Sequence, residues 1–128
     1  MLELRDVETP SPGPTEVLIK VAAAGVNRAD LLQRQGRYHP PPGVSAILGM
    51  EVSGTVAEVG VEVSNWAIGD PCVALLAGGG YAGYVAAPAG QVVPPPLGVE
   101  LGAAAGVIEV AATVYSNIEL VGLAMGDQ

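Results

Sequence analysis

The sequence predicts a small, mainly β domain that gives way to helix near its end. Three observations carry this. Short runs of alternating apolar residues recur through the first hundred positions. The 18 glycines and 11 prolines fall between those runs, as closely spaced turns require. After about residue 100 the spacing of apolar residues changes to a helical one. Strands this short suit a barrel or a sandwich, and a barrel removes exposed strand edges by closing on itself.

Leu2 to Val7 alternates weakly and reads as a first strand. Thr9-Pro10-Ser11-Pro12-Gly13-Pro14 is a turn. Glu16 to Ala23 is a strand with Val17, Ile19 and Val21 on one face. Asn27 to Gln35 reads as a short helix, with Asn27 as N-cap, Asp30 three residues on and Gly36 as terminator. Tyr38 to Gly43 is a proline-rich loop. Met50 to Val59 is a strand presenting Met50, Val52 and Val56 on one face. Two further strands follow, Cys72 to Leu76 and Tyr81 to Ala87, divided by Gly78-Gly79-Gly80. Val92-Val93 closes the β region before Pro94-Pro95-Pro96. Leu101 to Ala105 suits a single helical turn, and Val110 to Val121 a helix ended by Gly122. This divides the chain into a β region, 1–100, and a helical segment, 101–128.

Composition narrows the function classes. At 128 residues the chain is one domain, long enough to bury a core. Half of its residues are apolar, 14% are charged and mean hydropathy is +0.45, which excludes intrinsic disorder. Phenylalanine is absent, so the core must come from Val, Leu, Ile and Ala. The net charge is −8, and the five cations, Arg5, Lys20, Arg28, Arg34 and Arg37, form no basic stripe. Nucleic acid is therefore not an expected partner. Cys72 is the single cysteine, which rules out an internal disulfide and a thiolate metal cage and fits a reducing, cytoplasmic setting. The N-terminus has no signal-peptide pattern. The charge-free stretch from Pro71 to Val99 is broken by Gly78-Gly79-Gly80 and Pro94-Pro95-Pro96, so no membrane span is expected.

Several residues invite a chemical role. Gly78-Gly79-Gly80-Tyr81-Ala82-Gly83 fits G-x-G-x-x-G, but a dinucleotide site needs a helix after the turn. Here the following Tyr84-Val85-Ala86-Ala87-Pro88 is strand-like, so a plain β-turn is the better reading. His39, the only histidine, stands in a proline loop without a second ligand nearby and reads as a surface residue. Cys72 lies in an apolar strand and reads as a buried structural thiol. Glu51 opens an apolar strand, where a carboxylate needs a partner. An ion pair with Arg28 or Arg34 is preferred over a proton-handling role. Asp30 is expected to cap the helix and join a salt bridge. Tyr38 is either a loop aromatic packed on proline or a phenol that donates to a substrate carbonyl; the residues leave both open.

Four stretches together resemble the quinone oxidoreductase branch of the medium-chain dehydrogenase/reductase superfamily. They are Gly25-Val26-Asn27-Arg28-Ala29-Asp30, Gly36 to Gly43, Leu48-Gly49-Met50-Glu51-Val52-Ser53-Gly54 and Ile68-Gly69-Asp70. The run Leu31 to Gly36 with the triple proline is most similar to the tumour-suppressor-induced quinone oxidoreductase type.

The resemblance implies a GroES-like, partly open β-barrel whose last helix leads toward a Rossmann domain. It implies hydride transfer from NADPH to a quinone or enone. It places Asn27 and Thr113 at the nicotinamide and Tyr38 in the substrate cleft as the candidate catalytic donor. Zinc-dependent relatives carry cysteine where Asn27 stands and histidine where Met50 stands; neither replacement is a good zinc ligand. A metal-free site is thus implied.

Two departures stand out. The family's first strand is expected to be missing or shortened, and Ile108 precedes Glu109 where close relatives have proline. The cofactor-binding half is expected to lie outside these residues, so the isolated chain should not turn over quinones. A non-enzymatic GroES-like interaction module is the alternative, and a homodimer is among the assemblies it allows.

Overall fold

The computed structural model describes residues 2–123 and 126. Five strands form one antiparallel sheet: β1 (Glu16–Ala24), β2 (Glu51–Val59), β3 (Pro71–Leu75), β4 (Tyr84–Pro88) and β5 (Val92–Val93). Their order is β4-β1-β2-β3-β5. The register of β1 on β2 shifts between Leu18 and Ile19 and again between Val21 and Ala23. Such irregularities add local twist, and the sheet curls into a half-barrel around its buried cluster.

The core lies inside this curl. Val17 and Ile19 of β1, Val52 and Val56 of β2, Cys72 and Ala74 of β3, and Val85 and Ala87 of β4 form one buried cluster. The period of two that points alternate side chains inward is the one read from the sequence. Gly54 sits between Val52 and Val56 on β2, opposite Val21, where the β1 backbone comes too close for any side chain. The single tryptophan, Trp66, packs against this cluster, and its indole N–H is buried without a hydrogen-bond partner.

Among the described residues three α-helices decorate the barrel: α1 (Arg28–Arg34), α2 (Leu101–Ala104) and α3 (Ile108–Val121). Asn27 is the N-cap of α1, in extended conformation, and Asp30 reaches back to its backbone N–H. Ala104 and Ala105 anchor α2 in the core. Gly122 ends α3 in the left-handed region at φ 67°, where glycine carries no Cβ penalty. The helical segment expected over 101–128 includes Ala124, Met125, Asp127 and Gln128, which lie outside the described residues.

Two expectations need correction. Leu2 to Val7 is not a strand; it is exposed, and it pairs with nothing in the sheet. Alternation alone does not make a strand, because ladder hydrogen bonds need a neighbour. The strand expected from Tyr81 begins only at Tyr84, since Tyr81 still belongs to the turn and donates its N–H to Leu48 O at 2.8 Å. No helix of the described residues is long and apolar enough to cross a membrane.

Candidate active site

Two buried carboxylates organise the face of the barrel where α1, β2 and α3 meet. Asp30, 2% exposed, accepts three hydrogen bonds. Its donors are Asn27 N–H at 2.8 Å, Gly49 N–H at 3.0 Å and the Tyr81 hydroxyl at 3.2 Å. It thereby ties the start of α1 to the turn before β2 and to the glycine-rich turn before β4. The cap expected of Asp30 is present; the salt bridge is not.

Glu51, 1% exposed, accepts from the Asn27 side-chain amide (Nδ2 to Oε1, 2.9 Å) and from Glu109 N–H (to Oε2, 3.0 Å). The expected ion pair with Arg28 or Arg34 is therefore overturned. Among the described residues the only ion pair is Arg5–Glu3, on the surface. Arg28 and Arg34 are exposed to solvent. Neutral N–H donors satisfy the carboxylate, as a positive helix terminus can. Glu109 N–H belongs to the first turn of α3, which has no intrahelical partner for it. A backbone donor leaves no mark in a residue pattern, and the helix was expected only from Val110, whereas α3 begins at Ile108.

The three residues singled out from the sequence fall as follows. Asn27 is half-buried at the N-cap of α1 and bonded to Glu51. Thr113 is exposed on α3, and its hydroxyl donates to the Glu109 carboxylate at 3.2 Å. Asn27 and Thr113 are thus joined through Glu51 and Glu109. Tyr38 stands apart, half-buried in the loop after α1, and its hydroxyl has no hydrogen-bond partner among the described residues.

A groove of about 600 Å³ opens elsewhere, between the Leu2–Pro10 segment and Ile47, Leu48, Tyr81 and Tyr84. Asn27, Tyr38 and Thr113 do not line it. One of its walls is the unpaired N-terminal segment, whereas the carboxylate network is tied to α1, β2 and α3 by hydrogen bonds.

The remaining titratable candidates have structural roles. Cys72 is fully buried, and burial pushes its thiol up to about 11, with the Asp70 charge adding to the effect. His39 is exposed in its loop. The Gly78–Gly80 turn leads into β4 and not into a helix, as the sequence indicated.

The Tyr81 phenol is pushed up to about 12, first by burial and then by the charge of Asp30 and the bond to it. Folded protein thus holds this proton where unfolded chain has released it. Stability from Tyr81 is complete below pH ~10 and is lost as pH rises through about 12. Alkaline titration of tyrosinate absorbance should contain a step near pH 12, and Tyr81→Phe should remove it. A step near pH 12 that survives the substitution would contradict the assignment.

The family model for the alcohol dehydrogenase GroES-like domain matches residues 13–97. The chain belongs to that family. Over 105 residues the chain is 39% identical to a quinone oxidoreductase of Lama guanicoe, covering 80% of this chain and 32% of the relative. Over 74 residues it is 43% identical to an acryloyl-coenzyme A reductase of Sulfurisphaera tokodaii, covering 58% of this chain and 22% of the relative. The Escherichia coli quinone oxidoreductase complexed with NADPH superposes with a TM-score of 0.79 at 27% identity, covering 91% of this chain and 36% of that one. The chain therefore spans less than a third of the length of these curated relatives. Within the family it is an N-terminal GroES-like domain of the quinone oxidoreductase branch of the medium-chain dehydrogenases/reductases.

Proposed function

We propose that this chain is the substrate-side domain of a cytoplasmic, NADPH-dependent oxidoreductase that reduces quinones or related enones without zinc. The observation that carries the reading is the linkage of Asn27 to Thr113 through two carboxylates, on a fold shared with an NADPH-bound quinone oxidoreductase. The donor set does not suit zinc. The Asn27 amide is committed to Glu51, Met50 offers a thioether, and no group of three metal-binding side chains exists among the described residues.

An exposed hydroxyl and a held amide suit the carboxamide of a nicotinamide. When bound, that ring supplies the hydride. Thr113 presents its hydroxyl from α3, and the network through Glu51 and Glu109 links it to Asn27. Tyr38, with its phenol free, donates to the acceptor carbonyl and steadies the negative charge that builds there. A positioned donor of this kind contributes roughly 10²–10⁴-fold. Holding the acceptor against the cofactor supplies more. The pyrophosphate and ribose contacts belong to a Rossmann half, so cofactor affinity of these residues alone is weak.

Titration of the isotopically labelled chain with reduced nicotinamide mononucleotide tests this. At millimolar ligand the Asn27 side-chain amide and the Thr113 resonances should shift together. Shifts confined to other residues, or none at all, would overturn the assignment.

One observation favours the second reading, an interaction module. The outer side of α3 exposes Val110, Val114, Tyr115, Ile118 and Val121, and uncovered apolar surface tends to associate. Light scattering across a concentration series separates the two. A monomer throughout argues against the module, and a homodimer supports it.

A further inference from the structure

We propose that Glu51 is a positioning residue, a buried carboxylate that locks the start of α3 to the N-cap of α1 and so sets Thr113 relative to Asn27. The consequence for a nicotinamide rests on the functional reading above; the lock itself does not.

The case begins with how poorly α3 is otherwise held. None of its fourteen residues is buried. Only Ile108, Glu109 and Ala112 are half-covered, all in the first two turns. A helix with so little apolar contact is not fixed by packing. Its attachment is therefore concentrated at its N-terminal end, where Glu109 N–H meets Glu51 Oε2 at 3.0 Å. The other oxygen of the same carboxylate holds the Asn27 amide at 2.9 Å.

Each oxygen serves a different element, and the side chain itself comes from β2. The space around it is closed as well. A Cβ on Gly25 would fall 2.2 Å from Glu51 Oε1 and 2.7 Å from the carbonyl oxygen of Ala105, the C-cap of α2. Glu51 is thus buried at 1% exposure with its carboxylate against the Gly25 backbone, a contact that only a glycine at position 25 permits. Its negative charge also lies at the helix end where an anion is favourable.

The chemistry of the carboxylate is specific to this task. An ionised carboxylate only accepts, with two oxygens for two donors. Glutamine has the same shape but one acceptor oxygen, so it can serve Asn27 or Glu109 and not both. Aspartate is one methylene too short to reach the same positions.

Amide hydrogen exchange on the ligand-free chain tests the lock. Glu109 N–H should be protected, whereas Val110 N–H, its first-turn neighbour without such an acceptor, should exchange freely. Glu51→Gln should speed Glu109 exchange about tenfold, the scale of a lost charge-assisted bond. Val56 N–H, bonded to Asp70 O within the barrel, should stay protected and certify the fold.

The coupling is the decisive measurement. Asn27→Ala, at a half-exposed position, should change Glu109 exchange at least about threefold, as a coupled neighbour does. The same substitution in the Glu51→Gln background should change it little. A merely structural glutamate would not transmit the Asn27 change at all.

Glu109 exchanging as fast as Val110, or indifferent to Asn27→Ala, overturns the proposal. Should Glu51→Gln fail to fold, the Asn27→Ala comparison alone decides. Failure here leaves the nicotinamide titration standing, and failure of that titration leaves the lock standing.

Discussion

Asp30→Ala should destabilise the chain by on the order of 3 kcal/mol or more, the largest loss expected from any polar side chain here. Removing the carboxylate strands Asn27 N–H, Gly49 N–H and the Tyr81 hydroxyl at once. Gly49 is itself buried, so water does not readily replace the lost acceptor. Asp30→Asn keeps one acceptor oxygen and should fall between wild type and alanine. The measurement is the urea midpoint at an unchanged denaturant slope. A loss below about 1 kcal/mol for Asp30→Ala would show that the three donors find other partners.

Gly54→Ala should be comparably damaging, for a steric reason. The added Cβ would lie 2.2 Å from the Lys20 carbonyl oxygen and 2.7 Å from Ile19 Cγ2. The first obstacle is backbone of the paired strand, so relief requires β1 and β2 to part. Overpacking of this kind costs about 1–3 kcal/mol, more where backbone must move. Gly83→Ala is the matched control, since nothing lies within 4 Å of a Cβ there. Thermal melts should separate the two variants clearly. Equal melting temperatures would mean that the sheet accommodates a side chain at position 54.

The elements that the sequence revealed are those whose signal is local. Val17 and Ile19 alternate inward, Asn27 and Gly36 bracket a helix, and Gly122 ends one; each was legible because one or two residues dictate it. Leu2 to Val7 failed because a strand depends on a partner elsewhere in space. The start of β4 failed similarly, since the hydrogen bond from Tyr81 to Leu48 is a tertiary fact.

At the candidate site the split is the same. Asn27, Tyr38 and Thr113 came from family resemblance. Glu51 was flagged because a carboxylate in an apolar strand demands a partner, but the partner was assigned to the wrong class. Charge complementarity suggested arginine, whereas a helix end and an amide supplied the donors. Tyr81 was passed over because its bond to Asp30 spans 51 positions of sequence.

The lone indole of Trp66 gives the barrel an optical gauge of its own. Held against the core with its N–H shielded from water, it should emit toward the blue and redden when the strands come apart. Helix α3 contains Tyr115 and no tryptophan. Loosening of that helix would therefore pass unseen in the fluorescence, so melting of the barrel and release of its outermost helix can be followed as separate events in one sample.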